Sequence, residues 1–171
     1  MKEALCWIRD IAIALIIAAI VLSFFKPIII QQESMQPSFY SDDYVIISRQ
    51  SYKMFGEIEY GDVIVFKSEL TDANGDKKHL IKRVIGLPGD TIEIVNGYVV
   101  RNGVTIQEDY VAEQGLSGEM DPVIVEEGKV FAMGDNRRVS QDSRSSAIGQ
   151  VDQDTIIGKV VLRVYPFSEM K

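Results

Sequence analysis

Residues 91–103 read TIEIVNGYVVRNG. A β-rich run is followed by Asn96-Gly97, then by YVVR, then by Asn102-Gly103. Asn-Gly accepts the positive φ that a tight hairpin turn requires, so the stretch reads as strand, turn, strand, turn. Working outward, similar runs recur as YVIISR at 44–49, DVIVFK at 62–67, LIKRVIG at 80–86 and KVVLRVY at 159–165, with a further Asn74-Gly75 turn signal between them. No helical period of comparable length follows residue 27. The expectation is a mainly β fold of antiparallel sheets without internal repeats. Residues 111–127 are polar and glycine-containing, and they read as an exposed excursion from that domain.

The N-terminus differs. Residues 11–25 read IAIALIIAAIVLSFF, with Arg9-Asp10 before the run and Lys26-Pro27 after it. A membrane span needs roughly 20 apolar residues, so this run reaches span length only if 5–8 or 28–30 contribute. A cleaved leader and a buried core helix compete with a retained anchor. FFKPIIIQQE offers no small-x-small cleavage site, which favours the anchor. Lys2, Arg9 and the amino terminus precede the run, so the positive-inside rule puts the N-terminus in the cytoplasm. The expected division is a short cytoplasmic segment at 1–10, a transmembrane anchor and exit at 11–30, and a compact extracytoplasmic β domain at 31–171.

Composition removes several classes of function. The 171 residues carry 25 acidic and 18 basic side chains for a formal net charge of -7, with no basic block. Nucleic acid is a poor candidate partner. Cys6 is the only cysteine and His79 the only histidine, so no intramolecular disulfide and no multi-His or multi-Cys metal site can be drawn. Any Ser-His-Asp triad would have to use His79.

Four segments place reactive or unusual residues where chemistry could arise. In ESMQPSF, Ser34 follows an extended run and Pro37 restricts Gln36; alone, Ser34 reads as a capping or turn serine. In HLIKRVIGLPGD, strand alternation sends Lys82 and Arg83 to opposite faces, and Lys82 shares its face with Leu80 and Val84. A lysine desolvated there would have a lowered pKa and could act as a base, whereas an edge-strand lysine that discourages aggregation is the plainer reading. GDVIVF at 61–66 signals only a core strand. GDNRRVSQDSRSS at 134–146 is dense in hydroxyls, carboxylates and guanidiniums. Within it Asp142 and Arg144 can pair, and Ser140 can hydrogen-bond an amine.

In this order, and across nearly the whole chain, the segments resemble the bacterial type I signal peptidase family. Ser34-Met35 with Pro37 is similar to its nucleophile box and 61–66 to its core strand. Lys82-Arg83 with 86–90 is similar to its general-base box. Gly134-Asp135-Asn136-Arg137 followed by Ser140, Asp142, Ser143 and Arg144 is similar to its last box. A single N-terminal span resembles the shorter, Gram-positive-type members. Two departures stand out: Gln32 occupies a position where many members carry Ser or Thr, and Arg138-Val139 replaces an acidic-then-Asn pair.

The resemblance implies a signal-peptidase-like β fold and a membrane-bound serine endopeptidase that removes signal peptides from exported preproteins after small residues. It needs no cofactor or metal. Ser34 would be the nucleophile and Lys82 its base, with Ser140 orienting the Lys82 amine and Asp142 and Arg144 holding the supporting loop. The Ser34 backbone N–H, with or without the Gln32 amide, would form the oxyanion hole. Substrate would lie extended along Ile30, Gln31, Gln32 and Glu33 on one side and His79, Leu80 and Ile81 on the other. Met35 and Phe39 would sit close to the lipid bilayer, and the protein would work alongside the export translocon. A repressor-type Ser/Lys self-cleaving protease shares the dyad logic but predicts a DNA-binding or soluble N-terminal region. A silent, tethered binding domain would be expected to lack Ser34 or Lys82.

Overall fold

The computed structural model describes residues 2–49 and 57–166, so the 50–56 and 167–171 parts of the expected β domain lie outside the described residues. Helix α1 runs Lys2–Phe24, and its Cys6–Phe24 portion is long and apolar enough to cross a membrane. At the helical rise that portion spans roughly 28 Å, close to the hydrocarbon thickness of a bilayer. The extra length comes from the N-terminal side. Arg9 donates to Asp10 from Nε at 2.9 Å and Nη2 at 2.8 Å, so the two charges inside the span offset each other. None of the candidate span is buried against the rest of the protein.

The expected anchor and exit at 11–30 therefore divides differently: the helix stops at Phe24 and strand β1 occupies Phe25–Ile29. Pro27 cannot donate to a ladder, which suits a strand at the sheet edge. The Arg49 N–H donates to the Phe24 carbonyl at 2.8 Å, tying the helix end to the sheet.

The remaining strands are β2 Tyr44–Ser48, β3 Val63–Thr71, β4 Lys77–Gly86, β5 Thr91–Val95, β6 Tyr98–Arg101, β7 Val104–Thr105, β8 Met120–Ile124, β9 Lys129–Met133, β10 Val151–Asp152 and β11 Ile156–Tyr165. A seven-stranded sheet has the order β1-β2-β11-β3-β4-β9-β10, and a four-stranded sheet has the order β7-β6-β5-β8. The pairings of both are antiparallel. The fold is thus mainly β behind one apolar helix. Asn96-Gly97 (φ 51° and 81°) and Asn102-Gly103 (φ 54° and 78°) make the turns that begin and end β6. Left-handed φ at both central residues matches the right-handed twist of the flanking strands.

Residues 111–127 are not a wholly exposed excursion. Within them β8 pairs with β5, Thr91 opposite Ile124 and Ile92 opposite Val123, while Val111, Ser117 and Val125 are buried. The polar composition misleads because β8 is an edge strand whose side chains stay largely in solvent.

The core has three parts. Met35, Phe39, Val45, Ile47, Val65 and Ile81 form one cluster, and Ile64, Phe66, Leu80, Val84, Val130 and Ala132 form the second on the opposite face of β3 and β4. Ile85, Ile92, Ile94, Val99, Phe131 and Met133 join the two sheets. Gly86 is required at that junction, since a Cβ there would stand 2.8 Å from Ile92 Cδ1 and 2.9 Å from its Cγ1. Burial of Met35 and Phe39, at 0% and 1% exposure, contradicts their expected place beside the bilayer. The Phe39 N–H donates to the Met35 carbonyl at 2.9 Å, and this single turn puts both side chains on one side, packed against Val45 and Ile47 of β2.

Candidate active site

Lys82 stands in the middle of β4 opposite Ile64 of β3, on the face that also holds Leu80 and Val84. Its side chain is 1% exposed, and the Nζ donates to Ser34 Oγ at 2.7 Å and to the Ile81 carbonyl at 2.8 Å. A buried ammonium is poorly solvated, and desolvation lowers the Lys82 pKa to about 8. The charges of Asp142 and Asp135 oppose that shift and Arg144 assists it. An amine held this way carries an appreciable neutral fraction near neutral pH and faces a hydroxyl along a short hydrogen bond. A weak hydroxyl nucleophile requires this geometry.

Ser34 is carried on the turn after β1. Its carbonyl accepts the Asn136 N–H at 3.0 Å, and the Asn136 side chain donates to the Glu33 carbonyl at 3.2 Å. The 134–146 loop thus grips the Ser34 turn through the Asn136 N–H and side chain. Gly134 is part of the grip: a Cβ there would lie 2.2 Å from Ser140 Oγ and 2.4 Å from the Ser34 carbonyl oxygen.

Asp142 and Arg144 pair as their spacing suggested, Nε to Oδ1 and Nη2 to Oδ2, both at 2.8 Å. Asp142 also accepts the Gly134 N–H at 3.0 Å, and Arg144 donates to the carbonyls of Ser117 at 3.0 Å and Ser140 at 3.3 Å. Burial alone would raise the Asp142 pKa, but Arg144, the Gly134 N–H and the nearby Ser140 hydroxyl outweigh it and leave the carboxyl below its ordinary value. Ser140 departs from expectation. Its Oγ is buried with no partner in hydrogen-bond geometry, although it lies close enough to favour the Asp142 charge. The structure brings it to Gly134 rather than to the Lys82 amine, whose hydrogen bonds go to Ser34 and Ile81.

A cleft of about 420 Å³ opens at the dyad, lined by Gln32, Glu33, Ser34, Leu80, Lys82 and Gln141 among others. A second, of about 250 Å³, lies between 28–32 and 79–81 over Val65. Among the described residues, β9 pairs with β4 only from Arg83 onward, so the edge at 79–82 has no strand beside it. Gln31, Gln32, Glu33 and His79 are exposed along this groove, Leu80 and Ile81 form its floor, and Ile30 turns into the core at 3% exposure.

Sequence reasoning missed the ion pairs that frame the site. Arg83, on the face opposite Lys82, forks onto Asp135 at 2.9 and 2.7 Å, and Ser38 Oγ donates to the same carboxylate at 2.5 Å. Arg137 forks onto Glu108 at 2.8 and 2.6 Å with both side chains buried. An arginine directed into apolar surroundings implies a carboxylate partner, but nothing local in the sequence says which one. Among the described residues no group of three or more His, Cys, Asp or Glu side chains could hold a metal.

A buried serine hydroxyl faces a lysine amine, on antiparallel sheets behind an apolar helix, an arrangement suited to a serine peptidase. The model of a family described as signal peptidase, peptidase S26, matches residues 4–165. The chain belongs to that family. Signal peptidase I S of Bacillus subtilis (strain 168) is 36% identical, with 99% of this chain and 94% of that protein covered. Signal peptidase IB of Staphylococcus aureus (strain COL) is 37% identical over 99% of this chain and 94% of its own. A crystal structure of a signal peptidase I from Enterococcus faecalis V583 aligns with a TM-score of 0.52 at 29% identity, covering 62% of this chain and 98% of that one.

Proposed function

We propose that the protein removes N-terminal signal peptides from exported preproteins after small residues, with Ser34 as nucleophile and Lys82 as general base. The observation that carries this reading is the 2.7 Å contact between Lys82 Nζ and Ser34 Oγ in a buried setting. Neutral Lys82 takes the Ser34 proton as Oγ attacks the scissile carbonyl, and the tetrahedral intermediate collapses to an acyl-enzyme. The lysine then gives the proton to the leaving amine, and water, activated by the same amine, hydrolyses the ester. The Ser34 N–H and the Gln32 carboxamide are the candidate donors to the oxyanion. Asp142 and Arg144 hold the loop that grips Ser34, and Ser140 sits behind it.

The preprotein lies as an added strand in the groove between 30–33 and 79–81, where the free edge of β4 supplies backbone bonds. Helix α1 anchors the chain with its N-terminus in the cytoplasm, and the catalytic domain lies outside, beside the export translocon. Phe25, Ile29, Tyr44, Leu162 and Tyr165 are exposed on β1, β2 and β11, and Tyr44 stacks edge-on against Tyr165. This surface continues from the helix end and suits the lipid interface, where tyrosines concentrate. Cleavage of a precursor protein in detergent tests the reading: Ser34→Ala and Lys82→Ala should each abolish it, and full activity in either would sink the dyad.

A further inference from the structure

The reacting groups are joined a second time, on the far side of β4. Ser38, four positions after Ser34 and 2% exposed, donates its hydroxyl to Asp135 Oδ2 at 2.5 Å and accepts from Arg83 Nη2 at 3.2 Å. Arg83 adjoins Lys82, forks onto Asp135, and donates from Nη1 to the Gly61 carbonyl at 2.9 Å. Asp135 in turn adjoins Asn136, whose N–H holds the Ser34 carbonyl. The Arg163 guanidinium also reaches the Ser38 carbonyl. A closed ring results: Ser34 to Lys82 through space, Lys82 to Arg83 along the chain, Arg83 to Ser38 through the shared carboxylate, and Ser38 back to Ser34.

Such a ring does two things. It removes the freedom of the nucleophile turn to slide along β4, and misplacement of about an ångström at a reacting pair costs roughly a hundredfold in rate. It also occupies the Asp135 charge. Asp135, Asp142 and Arg144 are the charges that act on the Lys82 amine, while Ile64, facing it from β3, is apolar. A carboxylate left with fewer donors would favour the ammonium form of Lys82 and oppose its use as a base.

We propose that Ser38 is a positioning residue for the reaction, bridging Asp135 and Arg83 so that the nucleophile turn stays in register with the base strand. The proposal rests on the Ser34/Lys82 reading and is separable from it. In the full chain in detergent, Ser38→Ala should lower kcat between about tenfold and a hundredfold with KM changed by less than about twofold. The acid limb of its pH–rate profile should move to higher pH, and Ser38→Thr, which keeps the hydroxyl, should restore both. Should Ser38→Ala fail to fold, Arg83→Lys, which keeps the charge but loses the fork, should show the same kcat loss and the same direction of limb shift. A lowered Tm with kcat and the acid limb unchanged would overturn the proposal, leaving Ser38 a purely structural residue. Cleavage retained by Ser34→Ala in the same assay would instead remove the dyad itself.

Discussion

Asp142 accepts two hydrogen bonds from Arg144, both at 2.8 Å, and its charge is the largest electrostatic influence holding the Lys82 pKa up against burial. Arg144 pulls the other way. The pair therefore modulates the protonation of an amine to which it makes no hydrogen bond, on top of the larger effect of burial, and the two members are separable by sign. Asp142→Asn should move the acid limb of kcat/KM to lower pH, since the neutral amine loses a competitor. Arg144→Gln should move it to higher pH. Rate profiles of the two variants against the parent check this, and shifts in the same direction would contradict it.

Burial of the Lys82 amine weakens the fold wherever the amine is charged. The Lys82 pKa falls from 10.5 to about 8, so between those values the unfolded chain binds more protons than the folded one, and stability rises with pH. The penalty is fully present below pH about 8 and disappears as pH approaches the unfolded value. At 1.36 kcal/mol per unit, Lys82→Met should stabilise the protein at pH 7 by up to about 3 kcal/mol, with the gain shrinking above pH 8. Denaturant unfolding at several pH values measures it. A variant less stable than the parent at pH 7 would contradict the account.

Much of this was legible in one dimension. Strands β5 and β6 could be placed to the residue because Asn-Gly pairs punctuate them, and Lys82 could be placed on an apolar face by counting in twos. Strand β1 was not legible, because Phe25–Ile29 continues the apolar run of the helix and only pairing with β2 distinguishes it. Strand β9, KVFAM, is buried along nearly its whole length, so it shows no alternation. The ring through Ser38 was invisible for a different reason: Ser38 and Asp135 lie 97 positions apart, and no local pattern couples them.

Gly134 has no room for a side chain. A Cβ would meet the Ser34 carbonyl at 2.4 Å, and backbone atoms cannot yield as a flexible side chain can. Gly134→Ala should therefore displace the nucleophile turn and lower kcat by about a hundredfold or more, while the far-ultraviolet circular dichroism stays that of a β protein. Activity within about threefold of the parent would show that the turn tolerates the displacement.

Glu108 and Arg137 carry stability rather than chemistry. Their side chains are 3% and 2% exposed, and Arg137 also donates to Ser117 Oγ at 2.6 Å. Glu108→Ala strands a buried guanidinium and should cost about 3–5 kcal/mol in denaturant unfolding. A loss below about 1 kcal/mol, the value of a surface pair, would mean that water reaches Arg137.

The central claim is that Lys82 is the base for Ser34, and the pH dependence of kcat/KM for the parent protein tests it most directly. The rate should rise through a single ionisation near the value of about 8 that burial imposes on Lys82. A profile already flat across pH 7–9, or one still rising through the ordinary lysine range near 10.5, would contradict it.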